Sequence, residues 1–258
     1  MSEKSPEQFH IATETVCGFT VERQEILDPE IAAIFGVPIG TSWRIRTGPL
    51  CEISDISEAG ECLAEILRPL LSPWFGKVLC ICGLGNVWQL HDCLGPVTTA
   101  RIPASGLASI HTDCQFSSIV TITPGVFGHT NLETSAHIAS VVQAVGAAGV
   151  LLIDAEQTSK YENLCACIGV RNNGIKTALR GAPLDQTTLP VPAVSIAVPT
   201  ALRPEGCSDF VMRTTIREDV AAASRMIAYA VMRVAYPCFS QEDLVTLLKL
   251  AEGPCELL

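Results

Sequence analysis

Residues 77–96 read Lys-Val-Leu-Cys-Ile-Cys-Gly-Leu-Gly-Asn-Val-Trp-Gln-Leu-His-Asp-Cys-Leu-Gly-Pro. After Lys77, the five residues 78–82 form a continuous apolar run closed by Gly83. A strand apolar at every position has both faces buried, which is the habit of parallel sheets covered by helices. Similar runs follow at 118–122, 150–153, 164–170 and 193–198. Helical spacing lies between or around them at 55–71, 130–145 and 217–235. The pattern predicts an α/β fold of three layers, a mostly parallel central sheet with helices on both faces.

The flanks are read in the same way. Residues 19–27 alternate like a strand, and 42–46 form another short one, inside an otherwise irregular segment 1–50. Asp28-Pro29 opens a short helix over 30–35, with a turn at Gly36, Pro38 and Gly40. At the far end, helices fill 217–252. Ser240 caps the last one, and Asp243 three residues on completes a capping-box pattern. No Pro/Ser/Gly-rich linker divides the 258 residues, so a single domain is expected.

Composition narrows the function. With 48 % hydrophobic and 17 % charged residues, the chain can bury a sizeable core. Its net charge of -10, without a basic run, disfavours nucleic acid. Residues 1–15 hold no apolar signal core. The stretch 138–153, broken by Gly146 and Gly149, is shorter than the roughly 20 residues that span a bilayer. A cytoplasmic protein with no membrane partner is expected. Twelve cysteines in such a chain read as reduced thiols. Cys80 with Cys82, and Cys165 with Cys167, read as small core residues of strands. Their spacing is not that of a structural zinc site.

In open parallel sheets, ligands gather beyond the carboxyl ends of the strands. The polar residues there are Gly83, Gly85, Asn86 and Asp92 after one strand, Gly125, Gly128, His129 and Glu133 after another, and Asp154 directly after a third. Two carboxyls brought together share a proton, so one serves as acid and the other as base. That is the requirement of peptide hydrolysis. A strand-end Asp is equally a helix cap or structural acceptor. A Cys93 thiol paired with His91 or His129, and a metal held by those histidines with Asp92, are further readings of the same loops. The glycine loop lacks the third Gly of a dinucleotide fingerprint and the Lys-Ser/Thr of a phosphate loop.

These residues carry a resemblance. Gly83-Leu84-Gly85-Asn86, five residues, then Asp92-Cys93-Leu94-Gly95-Pro96 resembles the germination protease motif GLGN-x5-DALGP. Residues 124–134 are similar to that family's PGVxGxTGxET segment, and Ile153-Asp154-Ala155 to its IDA. Residues 173–175 and 191–200 are similar to its later GI and IPVIAIGVPT segments. The resemblance implies a phosphorylase/hydrolase-like fold shared with hydrogenase maturation proteases. It implies an atypical aspartic endopeptidase, without cofactor or metal, that degrades small acid-soluble spore proteins during germination in the forespore or spore core. The family's acid pair falls on Asp92 and Asp154. Gly83, Gly85, Asn86, Gly125, Gly128, His129 and Glu133 are the residues for substrate binding or oxyanion support. A homo-oligomer, as in the tetrameric family, and a zymogen are implied too. Departures stand at 156–160, 176–181 and Asn131, around the expected cleft. A homologue that binds a peptide or partner without turnover is the second reading.

Overall fold

The computed structural model describes residues 9–30, 32, 39–104, 114–175, 182–206 and 209–251. Most of the expected 30–35 helix, the Gly36–Pro38 part of its turn, and the divergent 176–181 loop lie outside them.

Three strands come first: β1 (Phe9–Val16), β2 (Phe19–Ile26) and β3 (Gly40–Arg46). The strands expected at 19–27 and 42–46 are β2 and β3, and β1 is a third strand in a stretch expected to be irregular. Helix α1 (Ile56–Leu71) follows, with the Asp55 carboxylate accepting from Ser57 N. Then come β4 (Val78–Gly83), α2 (Leu94–Arg101), β5 (Ser118–Ile122), the single turn α3 (Phe127–Thr130) and α4 (Thr134–Val145). The chain ends with β6 (Gly149–Thr158), β7 (Cys167–Arg171), β8 (Ala193–Leu202), α5 (Ile216–Ala235) and α6 (Gln241–Leu250). The predicted capping box is present at Ser240 and Asp243.

All eight strands form one sheet in the order β1-β2-β3-β7-β8-β6-β4-β5. The pairings β8–β6, β6–β4 and β4–β5 are parallel, whereas β1–β2, β2–β3, β3–β7 and β7–β8 are antiparallel. The expectation of a mostly parallel sheet is therefore corrected to a mixed one. The apolar run at 164–170 was the source of error. Its first residues form a turn, with Cys165 at φ 51°, and the remainder returns against β8.

Strand alternation divides the core between the two faces. Ile81, Leu151, Ile153, Val170 and Ile196 join α1, α2, α5 and α6 on one face. Cys80, Cys82, Val150 and Leu152 pack beneath Ile138 and Val142 of α4 and beneath Ile175, Leu184 and Leu189 on the other. Among the described residues that second layer covers the parallel half. Over β2, β3 and β7 the same face carries Glu22, Gln24, Ser42, Arg44, Gly169 and Arg171 and lines an open cavity. Among the described residues no helix is long and apolar enough to cross a membrane.

Candidate active site

The glycine loop is built by close packing. A Cβ at Gly83 would stand 2.2 Å from Thr99 Oγ1, and one at Gly95 would stand 2.4 Å from Leu84 N and 2.5 Å from Ile153 O. Only glycine at both positions lets the first turn of α2 rest on the ends of β4 and β6. Leu84 N donates to Ile153 O at 2.8 Å, fastening the loop to the residue before Asp154.

Asp92 lies two residues before α2, in a loop that doubles back on itself. Asn86 N donates to both Asp92 Oδ2 (2.9 Å) and Asp92 O (3.0 Å), and Asn86 Oδ1 accepts from Trp88 N (3.0 Å). Gly85, at φ +109°, leaves no room for a side chain because Asp92 O would be 2.0 Å from its Cβ. The amides of Leu84 and Asn86 are thereby engaged inside the protein, which removes them as donors to an oxyanion.

Asp154 sits within β6, one residue past Ile153 and opposite Ala197 of β8; the strand continues to Thr158. Its Oδ1 accepts from Ala155 N at 2.9 Å. The residue keeps a little surface, but its carboxyl lies among protein atoms. Burial, and next the charge of Asp92, push its pKa up to about 7; Glu156 raises it further, while Ala155 N and Arg171 oppose. Burial also raises Asp92, against the Asn86 N–H and the nearby His91. The charge of Asp92 thus bears on the buried Asp154 carboxyl, which favours a single shared proton between the two.

Asp92 lines a cavity of about 320 Å³ with Gln89, His91, Glu156, Thr200, Arg203 and Phe210. The His91 ring packs on Phe210 with centroids 4.5 Å apart, and Thr200 Oγ1 donates to His91 O at 2.5 Å. Gly85, Asn86, Gly125 and His129 line a different cavity, of about 470 Å³, with Val87 and Trp88. Gly128 and Glu133 line neither cavity. Gly128 has no atom within 4 Å of an added Cβ, and Glu133 is the exposed N-cap of α4, its carboxylate making no cap bond. The structure thus brings together Asp92, Asp154, Gly83, Gly85 and Asn86, places Gly125 and His129 with Gly85 and Asn86 around a second cavity, and sets Gly128 and Glu133 apart. His91 and His129 fall in separate cavities. Cys93 is buried in the core, its thiol directed to Leu90 O at 3.4 Å.

Burial also pushes up the thiols of Cys80 (about 11), Cys82, Cys165 (about 12) and Cys167 (about 11), so they stay protonated core groups. Glu156, in the sequence part of the departure at 156–160, and Arg171, a strand-end polar residue, join the site, and Phe210 is the residue the sequence did not suggest. Glu156 follows Asp154 by two in a strand and so shares its face, a signal that was available. Arg171, which pairs with Glu156 at 3.0 Å, and Phe210 arrive from remote segments.

Comparison with known proteins adds the following. Residues 75–244 match the model of the peptidase A25 family, described as germination protease. A germination protease of Caldanaerobacter subterraneus subsp. tengcongensis is 29 % identical over 195 residues, 72 % of this chain and 60 % of that protein. One of Clostridium perfringens is 26 % identical over 192 residues, 70 % of this chain and 59 % of its own. The alignments thus span about 60 % of the length of these relatives. Among solved structures, a NiFe hydrogenase maturation protease of Thermococcus kodakarensis superposes with a TM-score of 0.40 at 15 % identity, over 64 % of this chain and 98 % of that one.

Proposed function

The chain belongs to the germination protease family, and from that premise we propose that it is an endopeptidase of small acid-soluble spore proteins whose acid pair is Asp92 and Asp154. The observation that carries this reading is the bond from Leu84 N to Ile153 O at 2.8 Å, which fastens the loop bearing Asp92 to the residue before Asp154; burial and the charge of Asp92 both raise the Asp154 pKa, to about 7. One carboxylate, at Asp92 on the cavity wall, and one carboxylic acid, at the buried Asp154, therefore coexist in mildly acidic to neutral solution.

Asp92, ionised first, takes a proton from a water as the water oxygen bonds to the scissile carbonyl carbon. Asp154 supplies its proton as the carbon–nitrogen bond breaks and the amine leaves. The fixed loop contributes rigidity. The Asn86 N–H holds one oxygen of Asp92, so the other is left to orient the water.

Incubating the full chain with a small acid-soluble spore protein and identifying fragments by mass spectrometry tests the proposal. The wild type is expected to give internal cleavages, and folded Asp92→Asn and Asp154→Asn variants none. Intact substrate with the wild type, or full turnover by either variant, contradicts it.

A further inference from the structure

The sheet has two edge strands, β1 and β5. Strand β1 runs for eight residues, Phe9 to Val16, and pairs with β2 in continuous register, without a bulge. Its sequence, Phe-His-Ile-Ala-Thr-Glu-Thr-Val, holds no Pro, Lys or Arg. Proteins ordinarily blunt an edge with those residues, with a bulge, or by shortening the strand. This edge carries none of these devices and stands open to another strand.

The hairpin settles which groups face outward. Cys17 (φ 49°) and Gly18 (φ 84°) form a two-residue turn of the primed type, closed by Val16 opposite Phe19. The closing pair exchanges both of its hydrogen bonds, and bonded pairs alternate with unbonded ones along the ladder. Val16, Glu14, Ala12 and His10 therefore bond to β2, whereas the N–H and C=O groups of Thr15, Thr13, Ile11 and Phe9 point away from the sheet. Among the described residues no other backbone group meets them.

Outward-facing residues bond only to outward-facing residues of a second β1. A two-fold antiparallel pairing that uses most of the strand must then centre on Ile11, Ala12 or Thr13. Centring on Ala12 sets His10 opposite Glu14 of the second copy, and Glu14 opposite its His10, a charge-complementary pair made twice. Centring on Ile11 sets His10 opposite Ala12, and centring on Thr13 sets it opposite Val16. In the Ala12 register the two Ala12 residues form the close, unbonded pair at the axis, where a small side chain suits a Cα separation of roughly 4.5 Å. Phe9 bonds to Thr15 and Ile11 to Thr13 in both directions, about eight main-chain hydrogen bonds in all. On the other face Ile11, 63 % exposed in the single chain, meets its symmetry mate diagonally across the axis. Within one chain Glu14 stands opposite the apolar Val21, and its diagonal neighbour Arg23 pairs with Glu25 at 3.6 Å. His10 stands opposite that same Glu25, so pairing sets it between two carboxylates.

We propose that β1 is the interface with a second copy of this chain, the two strands pairing antiparallel about a two-fold axis at Ala12 and joining their sheets edge to edge. Four strands separate β1 from the β6 strand of Asp154, so association is measured without reference to cleavage.

Sedimentation velocity of the full chain at micromolar concentration measures the assembly, and circular dichroism checks the folding of each variant. The wild type is expected to sediment as at least two copies. Thr13→Pro removes an outward N–H and no bond to β2, so it should halve the mass with the hairpin intact, whereas Thr13→Val should leave the mass unchanged. Glu14→Lys removes the complementary charge and His10→Glu sets like charges face to face. Each should weaken association about tenfold, and the double variant, which restores opposite charges, should recover most of it. The charge series does not depend on Thr13→Pro folding. A monomeric wild type, an assembly that survives Thr13→Pro in a folded chain, or a double variant no tighter than the single ones overturns the proposal.

Discussion

A Cβ on Gly95 would lie 2.5 Å from the carbonyl oxygen of Ile153, so the first turn of α2 is seated on the backbone that immediately precedes Asp154. This contact explains how a loop residue and a strand residue 62 positions apart become one site. Gly95→Ala must force the two backbones apart. We expect a loss of about 1–3 kcal/mol in chemical denaturation, the range of core overpacking, together with loss of cleavage, because the loop carrying Asp92 moves with α2.

The glycines singled out in the sequence should separate sharply by experiment. Gly85→Ala meets Asp92 O at 2.0 Å and needs φ +109°, so it should displace the Asp92 loop and reduce turnover at least a hundredfold. Gly128→Ala meets nothing within 4 Å in α3 and should leave stability within about 0.5 kcal/mol, as surface changes usually do. Parallel kinetics and thermal melts of the two variants check this contrast.

Asp154 gives folding a defined pH dependence. Its pKa in the folded chain, about 7, exceeds the ordinary 3.8, so between those values the folded state keeps a proton that the unfolded state has lost. Stability from this group is full below about pH 4 and is lost as pH rises to about 7. Asp154→Asn removes the dependence and should be the more stable protein at pH 8, by about 2–4 kcal/mol at roughly 1.4 kcal/mol per pKa unit. Melting curves from pH 4 to 8.5 on both proteins are the check. A wild type that gains stability relative to the variant over that range would refute it.

The ion pair beside Asp154 tunes the same group in opposite directions. Glu156 raises and Arg171 lowers its pKa. Glu156→Gln should therefore move the alkaline limb of the pH–rate profile to lower pH, and Arg171→Gln should move it to higher pH. Profiles of kcat measured from pH 5 to 9 would resolve the two shifts.

Much of this arrangement is legible in the amino-acid sequence. The apolar runs at 118–122 and around Val78–Gly83, and the Ser240–Asp243 cap, appear where chain chemistry puts them. β1 was missed because most of its described residues face solvent, so no burial pattern marks it. Helix α2 was hidden by Gly95, Pro96, Thr98 and Thr99, poor helix formers; here the two threonine hydroxyls donate to Leu94 O and Gly95 O. The direction of β7 is decided by its antiparallel pairing with β3 and β8, which a local run of apolar residues does not encode. Asp92 and Asp154 stand out in the sequence because each follows an apolar run, whereas the pairing of Glu156 with Arg171 depends on crossing β8.

The most direct test is to titrate the Asp154 carboxyl by carbon-13 NMR in the wild type and in Asp92→Asn. The account predicts a midpoint of about 7 that drops when the Asp92 charge is removed. An ordinary midpoint near 4, or one indifferent to Asp92→Asn, would contradict it.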